Sequence, residues 1–578
     1  MPIIQPLPTQ LSDNGRHYAE GYLTPASLDT QQCVSFPPEC VIPVIFLPGI
    51  MGSNLRMTDE RQAQLRQKNN IAWRPDNKAT WAVPMISRDQ RVRQLQLDPE
   101  TTVVDVYDPQ TNPTGQRGKT ADDRHDNVSV TAQTPLLMDD PHGAKVRKSA
   151  KVKARERGWG EVFFSSYGDL LNHLEYRLNT AFRNNKLNPD WKDLIGVDPK
   201  QWKLDPATPQ PTLTEAELRA VFERCFLPVH ALGYNWLKCN GEGAEALAPR
   251  ITRIMDEYNK KGCRCEKVII VTHSMGGLVG RALCHPDYGN LQDKILGIVH
   301  GVMPAIGAAA AYRRMRAGFE GGGITNKVLG HTGPRVTAVL ANAPGGLQLL
   351  PSEAYGNHWL KIVTRSGSVL KRMPENGDPY KDIYERADVW WGLLREEWIN
   401  PAGDVKAGLE RTKELLFKAQ EFHQAINATY HPVSYAHYGC DPKRPAFRDV
   451  VWQVPDNIPA DQIDTLKIAF DNTQGTIGLS VQNDSAVVQH KPIYNATDRM
   501  QLAEIPFHAA LQLPADPGDQ TVPMHSADDQ LRSGRFTGIF RQAGYEHQDS
   551  YKDDGAVACT LYSIVRIAQH MKWNSACP

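Results

Sequence analysis

The stretch "VIIVTHSMGGLVG", Val268–Gly280, decides how this chain is read. Val268–Val271 are four β-branched residues in a row, a pattern that predicts a buried strand. Gly276 and Gly277 follow Ser274 closely, and the small and apolar residues after them predict a helix from about Met275 to Cys284. A serine on a sharp strand-to-helix turn is the G-x-S-x-G nucleophile elbow, with Thr272 in place of the first glycine. Such a turn needs small neighbours, lifts Oγ off the sheet and aims a helix N-terminus at the reacting carbonyl. A glycine-rich turn capped by a serine hydroxyl has the same residues. The preceding strand, the following helix and a βα unit upstream favour the elbow.

Working outward, "EGAEALAPRITRIMDEYNKKG" (Glu242–Gly262) predicts an amphipathic helix. Leu247, Ile251, Ile254 and Met255 share one face, and Gly262 ends it. Before it, "ELRAVFERCFLPVHALGYNW" (Glu217–Trp236) gives a helix and then a strand near Pro228–Gly233. After the elbow, "KILGIVHGVMPA" (Lys294–Ala305) is a further buried strand. "VIPVIFLPGIMGSNLR" (Val41–Arg56) is a strand running into a glycine turn, and Leu170, Leu171, Leu174 and Leu178 fall at helical spacing within Gly158–Phe182. Strands separated by helices mean βαβ units and a mostly parallel sheet.

The organisation expected is an α/β-hydrolase fold with a mostly parallel central sheet and a large inserted cap. Residues 41–57 open the hydrolase core, after a Pro- and Gln-rich lead-in read as irregular. Residues 58–157 form a polar insertion of loops and short elements. Residues 158–303 carry the core with the elbow. The rhythm breaks over 304–506, read as the cap, with aromatic-rich helices such as "YERADVWWGLLREEW", and resumes over 507–578.

A serine is a weak nucleophile without a base. In hydrolases of this class the acid and then the histidine follow the serine along the chain. "PGDQTVPMHSAD" supplies Asp519 in a turn after the apolar run "AALQLP", and "GYEHQDSY" supplies His547 after "FTGIF". Asp519 would orient the imidazole, and His547 would take the Ser274 proton. Asp516 is the rival acid; His525 and His570 are the rival bases. Asp519 is preferred for its tight turn after Gly518, and His547 because it follows a strand. Two backbone donors must hold the oxyanion. Met275, just after the nucleophile, is one. Ile50, in the "LPGIMGS" loop, is the other, with Met51 second. The chemistry implies no cofactor and no metal.

Together "PGIMGSNL", "HALGYNW", "VTHSMGGLVGRAL", "GDQTVP" and "GYEH" resemble the lecithin:cholesterol acyltransferase-like and inositol-deacylase-like branch of α/β-hydrolases. More closely, the chain resembles the type VI secretion antibacterial lipase effectors, fourth lipase-effector family. The motifs cover about half the chain. The resemblance implies a phospholipase acting on bacterial membrane lipids through Ser274, Asp519 and His547. It also implies delivery by a secretion spike protein and neutralisation by a cognate immunity protein. Three alternatives stand beside hydrolysis of phospholipid: a lipid acyltransferase, a soluble carboxylesterase, and a catalytically silent interaction module.

Hydrophobic content of 41% and charged content of 22% read as a soluble globular chain. Sixty-five basic residues balance sixty-five acidic ones, which argues against nucleic acid as the partner. No apolar run is long enough to span a bilayer, and "MPIIQPLPTQLSDNG" is no secretory leader. The resemblance implies a chain made in the cytoplasm, secreted without a signal peptide and acting at the target-cell membrane from the periplasm. Ten cysteines are too few for a disulfide scaffold. Cys33 and Cys40 could pair under oxidising conditions, and Cys263-x-Cys265 lacks the second pair a zinc site needs. Two segments suit a lipid surface: Ala305–Phe319, either an interfacial lid or a packed cap helix, and the basic run Lys145–Arg157, either a headgroup contact or a solvated loop.

Overall fold

The computed structural model describes residues 10–11, 17–22, 31–36, 40–76, 82–106, 127–136, 148–183, 186–222, 225–321, 324–481 and 507–573. Six parallel strands form the central sheet: β1 (Val44–Leu47), β2 (Val229–Ala231), β3 (Val268–His273), β4 (Ile295–Gly301), β5 (Ser434–Gly439) and β6 (Gly538–Gln542). Their spatial order is β2-β1-β3-β4-β5-β6, with β3 between β1 and β4. The register sets Thr272 beside Leu47 on one side and His300 on the other.

Both faces of this sheet are covered, so β1, β3 and β4 are mostly apolar runs rather than alternating ones. Along β3, Val268 and Ile270 enter one core, and Ile269 and Val271 enter the other. Helices α1 (Phe164–Asn179) and α4 (Asp554–Ala568) pack in the core of Ile269. Helices α2 (Asn240–Lys260) and α3 (Gly276–Cys284) pack in that of Ile270. A mostly parallel sheet with helices on both faces is the α/β architecture.

A second six-stranded sheet lies outside this layer. Its order is Val369–Met373, Leu360–Thr364, Val450–Val454, Phe507–Leu511, Thr476–Ser480 and Lys467–Asp471. Only Leu360–Thr364 and Val450–Val454 pair in parallel; the other pairings are antiparallel.

Several expectations are corrected here. Residues 304–506 are not all cap, because Ser434–Gly439 is a strand of the central sheet. The apolar run before Asp519 is not a core strand: Phe507–Leu511 pairs with Val450–Val454 and Thr476–Ser480 of the second sheet. The lead-in before Val41 is not wholly irregular: Gln10–Leu11, His17–Tyr22 and Gln31–Phe36 form a small antiparallel sheet. "YERADVWWGLLREEW" is not one helix. A wide helical turn at Tyr380–Tyr384 and a short helix at Glu396–Ile399 bracket an irregular stretch that carries Trp390 and Trp391. There Gly392 lies so close to the Arg386 carbonyl that a side chain would collide with it.

The two proposed lipid-surface segments are largely packed. Ala310–Ala317 is a helix with Tyr312, Met315 and Arg316 buried. Arg316 lies over the Trp398 and Trp452 rings and donates to the carbonyls of Trp390 and Gly392. In the basic run, Ala150–Glu156 is a helix, Lys148 pairs with Glu156, and Arg157 is buried in an ion pair with Glu175. Lys145 and Arg147 lie outside the described residues, as does the side chain of Cys33. Among the described residues no helix is long and apolar enough to cross a membrane.

Candidate active site

The site sits at the C-terminal ends of the central strands, where open parallel sheets place their ligands. Ser274 follows β3 at once, with φ of 52°. A non-glycine residue in the left-handed region costs of order 1–3 kcal/mol and persists only where its surroundings impose it. Those surroundings are specific. The Ser274 amide donates to the Gly301 carbonyl at 2.8 Å, and the Gly277 amide donates to the Ser274 carbonyl at 2.9 Å. At Gly276 a Cβ would stand 2.5 Å from the Pro48 carbonyl oxygen and 2.6 Å from that of Leu47. Glycine is therefore required there, because the early loop passes directly over the elbow.

Thr272 is accommodated by a glycine elsewhere. A Cβ on Gly280, in α3, would lie 3.2 Å from the Thr272 methyl. The space a glycine would leave in the strand is thus provided on the facing helix. The Thr272 carbonyl accepts from the Tyr551 hydroxyl at 2.8 Å.

His547 lies in the loop after β6, which leads into a helical turn at His547–Lys552. Its Nε2 is 2.8 Å from Ser274 Oγ, and its Nδ1 is 2.8 Å from Asp519 Oδ2. Asp519 is held from several sides. Its Oδ1 accepts from the amides of Thr521 (3.1 Å) and Val522 (2.7 Å), and its carbonyl accepts from the His547 amide at 2.9 Å. Gly439, the last residue of β5, packs against it so closely that a Cβ there would be 2.8 Å from Asp519 Cβ. The acid is thus seated on the end of β5, although its loop arrives from the second sheet. All three side chains are buried, Ser274 at 5 % exposure, His547 at 7 % and Asp519 at 1 %.

The rival residues stand apart from this chain of hydrogen bonds. Asp516 is in a strand pairing with Ala446, and burial pushes its carboxyl up. His525 points its Nε2 at the Tyr355 carbonyl, 2.8 Å away. His570 is exposed beyond the end of α4.

The loop after β1 turns tightly at Gly49–Gly52, closed by a 3.0 Å bond from the Gly52 amide to the Gly49 carbonyl. A Cβ on Gly49 would stand 2.9 Å from Ser274 Cβ, so the loop abuts the nucleophile. Among the described residues neither the Ile50 nor the Met275 amide donates to a protein acceptor. Met51 takes φ of 60°, and its carbonyl accepts from the Trp73 indole at 2.7 Å.

Sequence reasoning missed two side chains in this cluster. His273, beside the serine, is buried with its Nδ1 3.0 Å from the Tyr167 hydroxyl and its Nε2 3.0 Å from the His547 carbonyl. A polar residue ending an apolar strand signals a buried partner, but nothing in the sequence spacing points to Tyr167, about a hundred residues earlier. Among the described residues no three His, Cys, Asp or Glu side chains group as a metal site. Cys263 and Cys265 are buried, and burial raises both thiols.

A mostly parallel sheet, a strained elbow after β3, an acid seated against the end of β5 and a histidine from the loop after β6 define an α/β-hydrolase fold. Residues 241–313 match the PGAP1-like alpha/beta domain. The chain is also similar to one in the crystal structure of a Tle4–Tli4 complex, with a TM-score of 0.70 and 29% identity over 92% of this chain and 99% of that one. A search of curated protein sequences finds no match. The two matches bear out the resemblance to the type VI secretion lipase effectors and support a lipid-ester hydrolase.

Proposed function

We propose that the chain is a serine-dependent phospholipase that hydrolyses acyl esters of membrane glycerophospholipids. The observation that carries this is the continuous chain from Ser274 Oγ through His547 to Asp519, both links at 2.8 Å, on a strained elbow. His547 Nε2 takes the proton from Oγ as Oγ adds to the ester carbonyl. The Met275 and Ile50 amides receive the developing oxyanion, one such donor being worth about 3–4 kcal/mol of barrier. His547 then gives its proton to the departing alcohol, leaving an acyl group on Ser274. Water, activated by the same imidazole, releases the fatty acid. Asp519, fixed by two backbone amides, keeps the Nδ1 proton on its side and steadies the imidazolium.

The burial of Ser274 supports a cap that moves before substrate enters, as expected of an enzyme that works at a lipid surface. The similar chain was crystallised in a Tle4–Tli4 complex. By that likeness we propose a cognate immunity protein for this chain, delivery by a secretion spike protein, and toxicity exerted from the periplasm of a target bacterium. Mass spectrometry of products from defined phospholipids tests the reading. The wild type should release fatty acid and lysophospholipid, and Ser274→Ala should release neither and lose toxicity when directed to the periplasm. Full lipid cleavage by Ser274→Ala would refute it.

A further inference from the structure

Tyr167 and His273 belong to no part of the proton relay, yet they touch the elbow, the segment that carries the base and the loop after β1. Tyr167 projects from α1 and is fully enclosed, and burial pushes its hydroxyl up to about 12. Burial, with the His547 imidazole nearby adding to it, pushes His273 down to about 3. His273 is therefore neutral at working pH. Its partners fix its tautomer: Nε2 faces a carbonyl that can only accept, so Nε2 carries the proton, and Nδ1 accepts from the Tyr167 hydroxyl. The Tyr167 oxygen in turn faces the Gly49 amide at 3.4 Å and the Gln548 side-chain amide at 3.5 Å.

One hydroxyl and one imidazole thus join four places. They are the loop after β1 at Gly49, the elbow at His273, the base at the His547 carbonyl, and the residue after the base at Gln548. The glycines of "PGIMG" make room for this junction. A Cβ on Gly49 would stand 2.9 Å from His273 Nδ1, and one on Gly52 would stand 3.0 Å from the Tyr167 hydroxyl. The rings also stack edge to face, with centroids 5.4 Å apart.

We infer that Tyr167 and His273 are positioning residues: together they hold the His547 backbone against Ser274 and the Gly49–Gly52 loop over the nucleophile. This rests on the serine-hydrolase reading above. A displacement of the base or of the oxyanion donors by a fraction of an ångström acts on the transition state and leaves substrate binding unchanged.

The test compares the full chain with Tyr167→Phe, His273→Gln, His273→Leu and Ser274→Ala. Each is assayed for hydrolysis of a soluble p-nitrophenyl ester, labelling by a fluorophosphonate, and thermal melting. Tyr167→Phe keeps the ring and removes only the hydroxyl. It should lower kcat about tenfold with KM within about twofold, and labelling should slow in parallel. His273→Gln retains a donor for the His547 carbonyl and an acceptor for Tyr167, and should keep more activity than His273→Leu by about tenfold or more. The inference is overturned if Tyr167→Phe has wild-type kcat, if only its KM changes, or if Gln rescues no better than Leu. A kcat loss that merely follows a lower melting temperature, and recovers on cooling, also overturns it. Should the His273 variants not fold, Tyr167→Phe decides alone. Ester hydrolysis that survives in Ser274→Ala would sink the serine-hydrolase reading instead, a result none of the other variants can mimic.

Discussion

At Thr272 the chain departs from the glycine that usually opens a nucleophile elbow, and the departure is paid back at Gly280 on the helix opposite. What the turn cannot give up is Gly276, because the carbonyls of Leu47 and Pro48 occupy the space a side chain would need. Ser274, Asp519 and His547 were legible because each stands in a short local context, a turn after a strand, that carries its own signal. Tyr167 was not, because its role comes from the folding of α1 across the end of the sheet and leaves no pattern in its neighbours. Asp519 lends itself to a test at this scale. Its Oδ2 accepts from His547 Nδ1 while its Oδ1 is already held by two amides. In Asp519→Asn the amide nitrogen must face the imidazole, since the oxygen is drawn to the Thr521 and Val522 donors. His547 is then forced to place its proton on Nε2, where it can no longer accept from Ser274. Activity should fall by about 10³–10⁴-fold, as when a triad histidine is held in the wrong tautomer. Steady-state assay of the variant, with melting to confirm the fold, checks this.

Among the elements, β5 shows where sequence reading ran out. "SYAHYG" has a serine, two tyrosines and a histidine in six residues, and no apolar run to mark it. Yet all six are buried, because β5 lies between β4 and β6 with cover on both faces. Its tyrosine hydroxyls find partners that no local pattern shows, such as the Tyr438 hydroxyl donating to Asp528 at 2.8 Å. The Phe507–Leu511 strand misled in the opposite way: it is apolar like a core strand but completes the second sheet. The cap helix Ala310–Ala317 held two readings in its sequence, and Arg316 decides between them. An arginine that lay on a lipid surface would tolerate removal, whereas this one is 1 % exposed and satisfies two carbonyls between two indole rings. Arg316→Ala should destabilise the protein by about 3–5 kcal/mol, from the void and the orphaned carbonyls together. Arg316→Met, which fills the volume without the donors, should lie between it and wild type. Urea denaturation of the three proteins measures the difference; equal midpoints would return the helix to the surface.

Across the whole molecule, five buried histidines make acid the condition that undoes the fold. Burial holds His273, His300 and His437 down at about 3 and His423 at about 4, and holds His230 well below its usual value. Each titrates near 6.5 once unfolded. Between about pH 6.5 and the folded values, the unfolded chain therefore binds more protons than the native one, and stability rises with pH. The contribution is complete above about pH 6.5 and is lost as pH falls toward 4. Each group removes about 1.4 kcal/mol per pH unit in that window, so the five together remove at most about 7 kcal/mol per unit. Against a total of about 5–15 kcal/mol for a folded protein, the native state should fail within about two units of pH 6.5. The urea midpoint should be level from pH 8 to 7 and drop steeply from 6 to 5. Among the described residues neither ring nitrogen of His437 has a hydrogen-bond partner, so His437→Phe removes one titrating group and breaks no bond. Its slope below pH 6.5 should be shallower than that of the wild type by about a fifth. An identical slope would mean that the histidine-bearing ends of β3, β4 and β5 open to protons without unfolding.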